Sequence, residues 1–146
     1  LPRPSASFAE QAMIPDDLDP VTASYHRCMY GEGFLDTFYD TFLDGAPDIQ
    51  EKFRNTDFTH QKLMLRESLL LMIMYSLGQT QVRDELVQLA KRHDRNHVDI
   101  PPTMYERWLE SLCVAVGKHD PEFSPEMEQQ WRAAMQPGID LMVSYY

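Results

Sequence analysis

LVQLAKRHDRNHVDIPP (residues 86–102) runs a hydrophobic stripe, Leu86, Leu89 and Ala90, straight into the imidazole of His93. These residues stand seven, four and three positions before His93, so all four share one helix face. On a core-facing stripe a neutral imidazole can ligate a metal through one ring nitrogen. Its other nitrogen then donates to a backbone carbonyl one turn back, near Leu89, which fixes the ring. The bland alternative is a surface histidine at a helix C-terminus, where KRH is a cationic finish matching the helix dipole. His97 follows one turn later, but HDRNH falls where the helix should already be failing. No HExxH, carboxylate cluster or acidic calcium loop supports a two-histidine metal site. Pro101 and Pro102 remove amide donors and favour an extended corner.

Working outward, nearly everything from Asp19 onward reads helical. Asp19 can cap and Pro20 can occupy the first turn of a helix through VTASYHRCMY. Gly31 and Gly33 interrupt before FLDTFYDTFLD, whose Phe34, Leu35, Phe38, Phe42 and Leu43 fall on one apolar stripe. Pro47 starts a short helix, DIQEKF. Thr56 opens a long one to about Gly78, with Phe58, Gln61, Leu65, Met72 and Ile73 available to its inner side. Residues 81–95 form the helix carrying His93, and another runs from about 102 to 118. Ser124 and Pro125 cap and start the final helix to Tyr146, with a kink expected at Pro137 and Gly138.

No stretch sustains the strand period of two. The expected class is all-α, with six or seven helices, two of them about twenty residues long. Uneven lengths and proline corners favour crossed packing over a regular up-down bundle. Residues 1–18, with Pro2, Pro4 and Pro15 and no sustained period, read as an arm laid on the surface or frayed from it. Residues 19–146 form the domain.

Composition narrows the chemistry further. The chain has 146 residues, one ordinary domain. Thirteen basic against 23 acidic residues give a formal charge of −10, which opposes a nucleic-acid or anionic-membrane surface. Cys28 and Cys113 stand far apart in no CxxC or CxxCH pattern, which argues against a redox dithiol, a thiolate zinc site or a covalently attached cofactor. No basic leader with a cleavage site opens the chain, and LLLMIM at 69–74 is too short to span a bilayer. A reducing cytoplasm is the expected compartment. There is no glycine-rich phosphate loop and no nucleophile elbow.

Two polar residues matter if a cofactor sits on His93 and takes a ligand on its other side. The Tyr39 phenol and the Gln61 amide can both donate toward negative charge building on such a ligand. Read alone, Tyr39 is also an ordinary core tyrosine and Gln61 a surface glutamine between His60 and Lys62. Phe38, Phe42, Phe53, Phe58, Trp108 and Trp131 would fill any helical core. The order of features says more: an aromatic YD helix, PDIQEKF, a TDF corner, a long helix, LAKRH and an isoleucine-proline corner.

In that order the chain from about Gly33 to Tyr146 resembles the bacterial globins. FLDTFYDTFL followed by APDIQEKF is similar to the segment in which a tyrosine lines the distal pocket and a phenylalanine lies flat on the porphyrin. The resemblance assigns those roles to Tyr39 and Phe53, fourteen residues apart as in flavohaemoglobins and their single-domain relatives. LAKRHDRNHVDIPPTMY resembles the proximal segment. It implies iron ligation by His93, haem-edge packing by Leu89 and Ile100, and a match of Tyr105 to the proximal tyrosine. TDFTHQKLMLRESL resembles the start of the distal helix, with Gln61 at the distal polar position and Leu65 beside the sixth iron site. A shift of one residue would bring His60 to that position, and a different corner path would turn Met64 inward.

The resemblance is nearer to small sensor-type globins than to flavohaemoglobins. It implies non-covalent haem b and reversible binding of dioxygen, carbon monoxide or nitric oxide, in transport or sensing, by a monomer or homodimer. No flavin, nicotinamide, kinase or cyclase module follows the haem segment. Nitric-oxide dioxygenase or weak peroxidase activity then needs an external reductase, and signalling needs a partner or a longer parent protein. The remaining alternative is a regulatory globin-fold module that binds a partner or another cofactor such as a bilin or fatty acid.

Overall fold

The computed structural model describes residues 18–146, so all of the arm expected at 1–18 except Leu18 lies outside the described residues. Asp19 caps α1 (Pro20–Tyr30) as expected, its carboxylate accepting from the amides of Val21 and Thr22 at 3.0 and 3.2 Å. Gly33 stands in the left-handed region at φ 96°, which a side chain would strain, and turns the chain into α2 (Phe34–Leu43). The apolar stripe of α2 is realised: Phe34, Phe38 and Phe42 are buried, with Leu35 and Leu43 partly buried at its edges.

α3 (Pro47–Lys52) is short and starts on Pro47. α4 (Phe58–Ser76) begins two residues later than expected. Asp57 is the cap, because its carboxylate accepts from Thr59 N at 3.1 Å and His60 N at 3.5 Å. After Gly78 the chain makes one 3₁₀ turn (Thr80–Val82) before α5 (Arg83–Arg92).

The helix expected at 81–95 therefore stops at Arg92, and His93 is its C-cap residue. The reason lies just beyond. The Asp94 carboxylate accepts from Asn96 N at 2.9 Å and His97 Nδ1 at 2.7 Å, and Asp94 O takes the Asp99 amide at 2.9 Å, with Asp99 at φ 58°. Local side-chain bonds thus replace the helix ladder.

α6 (Met104–His119) follows the proline corner, and α7 (Pro125–Ser144) is capped by Ser124 Oγ accepting from Met127 N at 3.0 Å. Pro137 lies inside α7, whose helical span continues through it and Gly138. The architecture is all-helical, with seven α-helices and one 3₁₀ turn among the described residues.

α2 packs on α6, α4 and α5 both pack on α7, and α4 also touches α5. Gly138 lets α7 close on α4, since a Cβ there would come within 2.9 Å of Met72 Cγ and Cε. One buried polar network ties α1 to the α6–α7 corner. Asp120, 4% exposed, accepts from Ser24 Oγ at 2.5 Å and from Arg27 Nε at 2.7 Å, and Trp131 Nε1 donates to Ser24 Oγ at 2.8 Å. Burial alone would raise the Asp120 carboxyl. Its bonds from Arg27, Ser24 and the Glu122 amide outweigh that and hold it below the usual range.

Candidate functional site

Crossed packing of these helices leaves a cleft partly open to solvent, lined mainly by aromatic and aliphatic side chains with a few polar groups, as cofactor and ligand sites are. α4 turns Gln61, Met64, Leu65, Ser68 and Met72 toward it, a run at i, i+3, i+4, i+7 and i+11 that one helix face presents together. α2 contributes Phe38, Tyr39 and Phe42, and Phe53 stands at the end of α3. On the other side are Leu89 and His93 from the end of α5, Ile100 from the proline corner, and Met104, Tyr105 and Trp108 from α6. Met142 of α7 completes the lining.

The eight positions singled out in the sequence, Tyr39, Phe53, Gln61, Leu65, Leu89, His93, Ile100 and Tyr105, all line this one cleft. Of the two side chains that an altered register could bring in, Met64 is on the lining, whereas His60 is exposed and absent from it. His97 is also exposed and paired with Asp94, and no cluster of three metal-binding side chains occurs among the described residues. Met72 was expected on the inner side of its helix and is on the lining, whereas Ser68 was not anticipated, although extending the Gln61–Leu65 register by one turn reaches it. Trp108 stands one turn after Tyr105 and is reached by the same rule, Met104 precedes Tyr105 at the start of α6, and Met142 carries no comparable local signal because α7 brings it in.

His93 Nδ1 lies 2.7 Å from Leu89 O. A carbonyl can only accept, so Nδ1 carries the proton and the Nε2 lone pair remains for a ligand in the cleft. Burial lowers the His93 pKa, and the Arg92 charge lowers it further against the opposing Leu89 bond. The ring is therefore neutral at pH 7 and fixed in orientation.

Across the cleft, burial pushes Tyr39 up to about 12, with the Gln61 side chain acting the other way. Tyr39 is thus a neutral donor throughout the physiological range. Its ring is held edge-on by Phe38, Phe53 and Phe58 at centroid distances of 4.9, 5.9 and 5.4 Å, and Phe53 stacks on Phe58 at 6.0 Å. Tyr105 is likewise raised to about 12 by burial, and its hydroxyl donates to Met142 Sδ at 3.5 Å.

A single fixed imidazole in an aromatic and aliphatic cleft cannot complete a metal's coordination by itself. It suits a metal whose other ligands come from a flat apolar macrocycle, so the residues fit haem.

Comparison with known proteins agrees. The family model described as Globin matches residues 36–139. The crystal structure of a Pseudomonas aeruginosa PAO1 protein, described as structurally highly homologous to a human hemoglobin, is 40% identical and superposes with a TM-score of 0.84. The match covers 88% of this chain and 96% of that one. A search of curated proteins finds no match. The chain belongs to the globin family, which implies haem binding and a diatomic gas as ligand.

Proposed function

We propose that the cleft holds haem b non-covalently, that His93 would supply the protein ligand to its iron, and that the protein binds dioxygen reversibly, carbon monoxide and nitric oxide competing for the same place. The observation that carries this reading is the His93 ring. It is neutral, bonded through Nδ1 to Leu89 O at 2.7 Å, and faces the cleft with its Nε2 lone pair free to coordinate. Haem would supply a ferrous iron able to take a diatomic ligand. The chain's own residues do the rest. Leu89 and Ile100 pack the proximal edge, Phe53 packs the macrocycle, and Leu65 and Met64 narrow the distal space. Tyr39 and Gln61 donate toward the ligand, and the apolar walls exclude competing water.

The test is an optical spectrum of the haem-loaded protein, oxidised, reduced, and reduced with carbon monoxide, repeated on His93→Ala. A histidine-ligated spectrum that is lost in the variant and restored by added imidazole is expected. Failure to take up haem, or an unchanged proximal signature in His93→Ala, would overturn the assignment.

A further inference from the structure

α4 is apolar on two sides. Its inner face supplies Gln61, Met64, Leu65, Ser68 and Met72 to the cleft, yet its outer face is not the charged surface expected of a solvent-facing helix. Leu63, Leu70, Met74 and Leu77 fall within about 60° of one another around the helix axis. Leu63 and Leu77 are 54% and 46% exposed, two of only four large hydrophobic residues exposed among the described residues. Leu70 and Met74 between them are partly buried.

Charge indicates what covers this face. The chain carries 23 acidic residues and a net charge of −10, which sets most of its surface against a second copy. α4 holds just one of those acids, Glu67, beside Lys62 and Arg66. Arg66 and Glu67 are exposed and flank the apolar stripe on opposite sides. In a two-fold pairing with the helices side by side in the same sense, Leu63, Leu70 and Leu77 each meet their own copies. Arg66 of each protomer then faces Glu67 of the other, so the surface is complementary to itself in both shape and charge.

We propose that the outer face of α4 is a self-association surface through which two copies of this chain pair about a two-fold axis. The contact acts on the back of the helix that lines the cleft.

The full chain is examined by sedimentation velocity from about 1 to about 200 μM, a range over which a reversible dimer shows its concentration dependence. A monomer–dimer equilibrium is expected. Leu63→Glu with Leu77→Glu should abolish it, and both positions are exposed enough for the chain to fold, as helical circular dichroism verifies. Arg66→Glu should weaken the dimer about 10-fold, because both symmetry-related pairs are lost together, and adding Glu67→Arg should restore it. A native chain that stays monomeric at the highest concentration overturns the proposal. So does a dimer indifferent to the leucine variants, or a charge reversal with no rescue by its counterpart. If the native chain is monomeric and the leucine variants destabilise it, another segment of the same chain covers the face and the two-copy surface is refuted.

Discussion

Replacing Tyr39 with Phe isolates the distal donor, because the ring contacts with Phe38, Phe53 and Phe58 survive and only the hydroxyl is removed. The position is 5% exposed and its phenol is neutral, with a pKa near 12, so the native group can donate but carries no charge. A hydrogen bond to a ligand that gathers negative charge is worth about 1.5 to 3 kcal/mol. At about 1.4 kcal/mol per decade this becomes roughly a 10- to 150-fold faster release of dioxygen, since affinity differences of this kind appear mainly in the off-rate.

Gln61 modulates the result because it lines the same cleft as Tyr39 and offsets part of its pKa shift. Without the phenol, the Gln61 amide is free to turn toward the ligand and recover part of the loss. Gln61→Leu and the double variant complete a cycle that separates the two donors, and a coupling term is expected because both line the same cleft. The assay is stopped-flow displacement of dioxygen by carbon monoxide from the haem-loaded proteins. Release rates within about twofold of native for both single variants and the double would refute distal donation by these residues.

Three further outcomes are expected. The folded-state pKa of His93 is lowered, so the unfolded chain binds more protons below its ordinary value of 6.5; stability of the haem-free chain should therefore rise with pH from the lowered value up to 6.5. Urea titrations across that interval should show a slope that flattens in His93→Phe, separately from the carboxylates, including Asp120, which act near and below 3.8. Asp120→Ala leaves the nearly buried Arg27 without its main partner and should cost about 3 to 5 kcal/mol in chemical denaturation, whereas an exposed pair such as Arg54–Glu51 should contribute under about 1 kcal/mol. Gly138→Ala drives a Cβ to 2.9 Å from Met72 Cγ, so it should cost about 1 to 3 kcal/mol and shift the carbon monoxide stretching frequency as Met72 is pushed into the cleft.

Local chemistry made much of this structure legible before any coordinates. Asp19 and Ser124 announced helix starts because a short oxygen-bearing side chain followed by proline satisfies the first turn. The α2 stripe and the register from Leu86 to His93 needed nothing but helical spacing. What escaped depended on competition between local bonds or on distance along the chain. Thr56 and Asp57 are both competent caps, and only the path of the corner selects Asp57. The continuation of α5 to residue 95 looked sound until Asp94 drew Asn96 and His97 into its own turn. Ser68 was within reach of the same distal register that placed Met72 inward, but Met142 joins the site from α7, which no spacing around His93 or Gln61 could reveal.

The lining of the cleft also constrains which ligands it can favour. No lining residue bears a charge, even though the chain as a whole carries −10. His93 is kept neutral by burial, and Tyr39 is kept protonated by the same cause acting on a group of opposite charge sign. An anionic ligand would enter without a formal positive side chain to replace its hydration, at a large desolvation cost. On the proposed function, a neutral diatomic would avoid that cost on entry and would meet the Tyr39 and Gln61 donors only as its charge develops. The low-dielectric walls of Phe38, Phe42, Leu65 and Met72 make each of those bonds stronger than in water. Discrimination among neutral ligands would then follow polarity: one that gathers negative charge would be held by both donors, and one that stays nearly apolar would gain little from either. Removing the donors should therefore narrow the affinity difference between dioxygen and carbon monoxide.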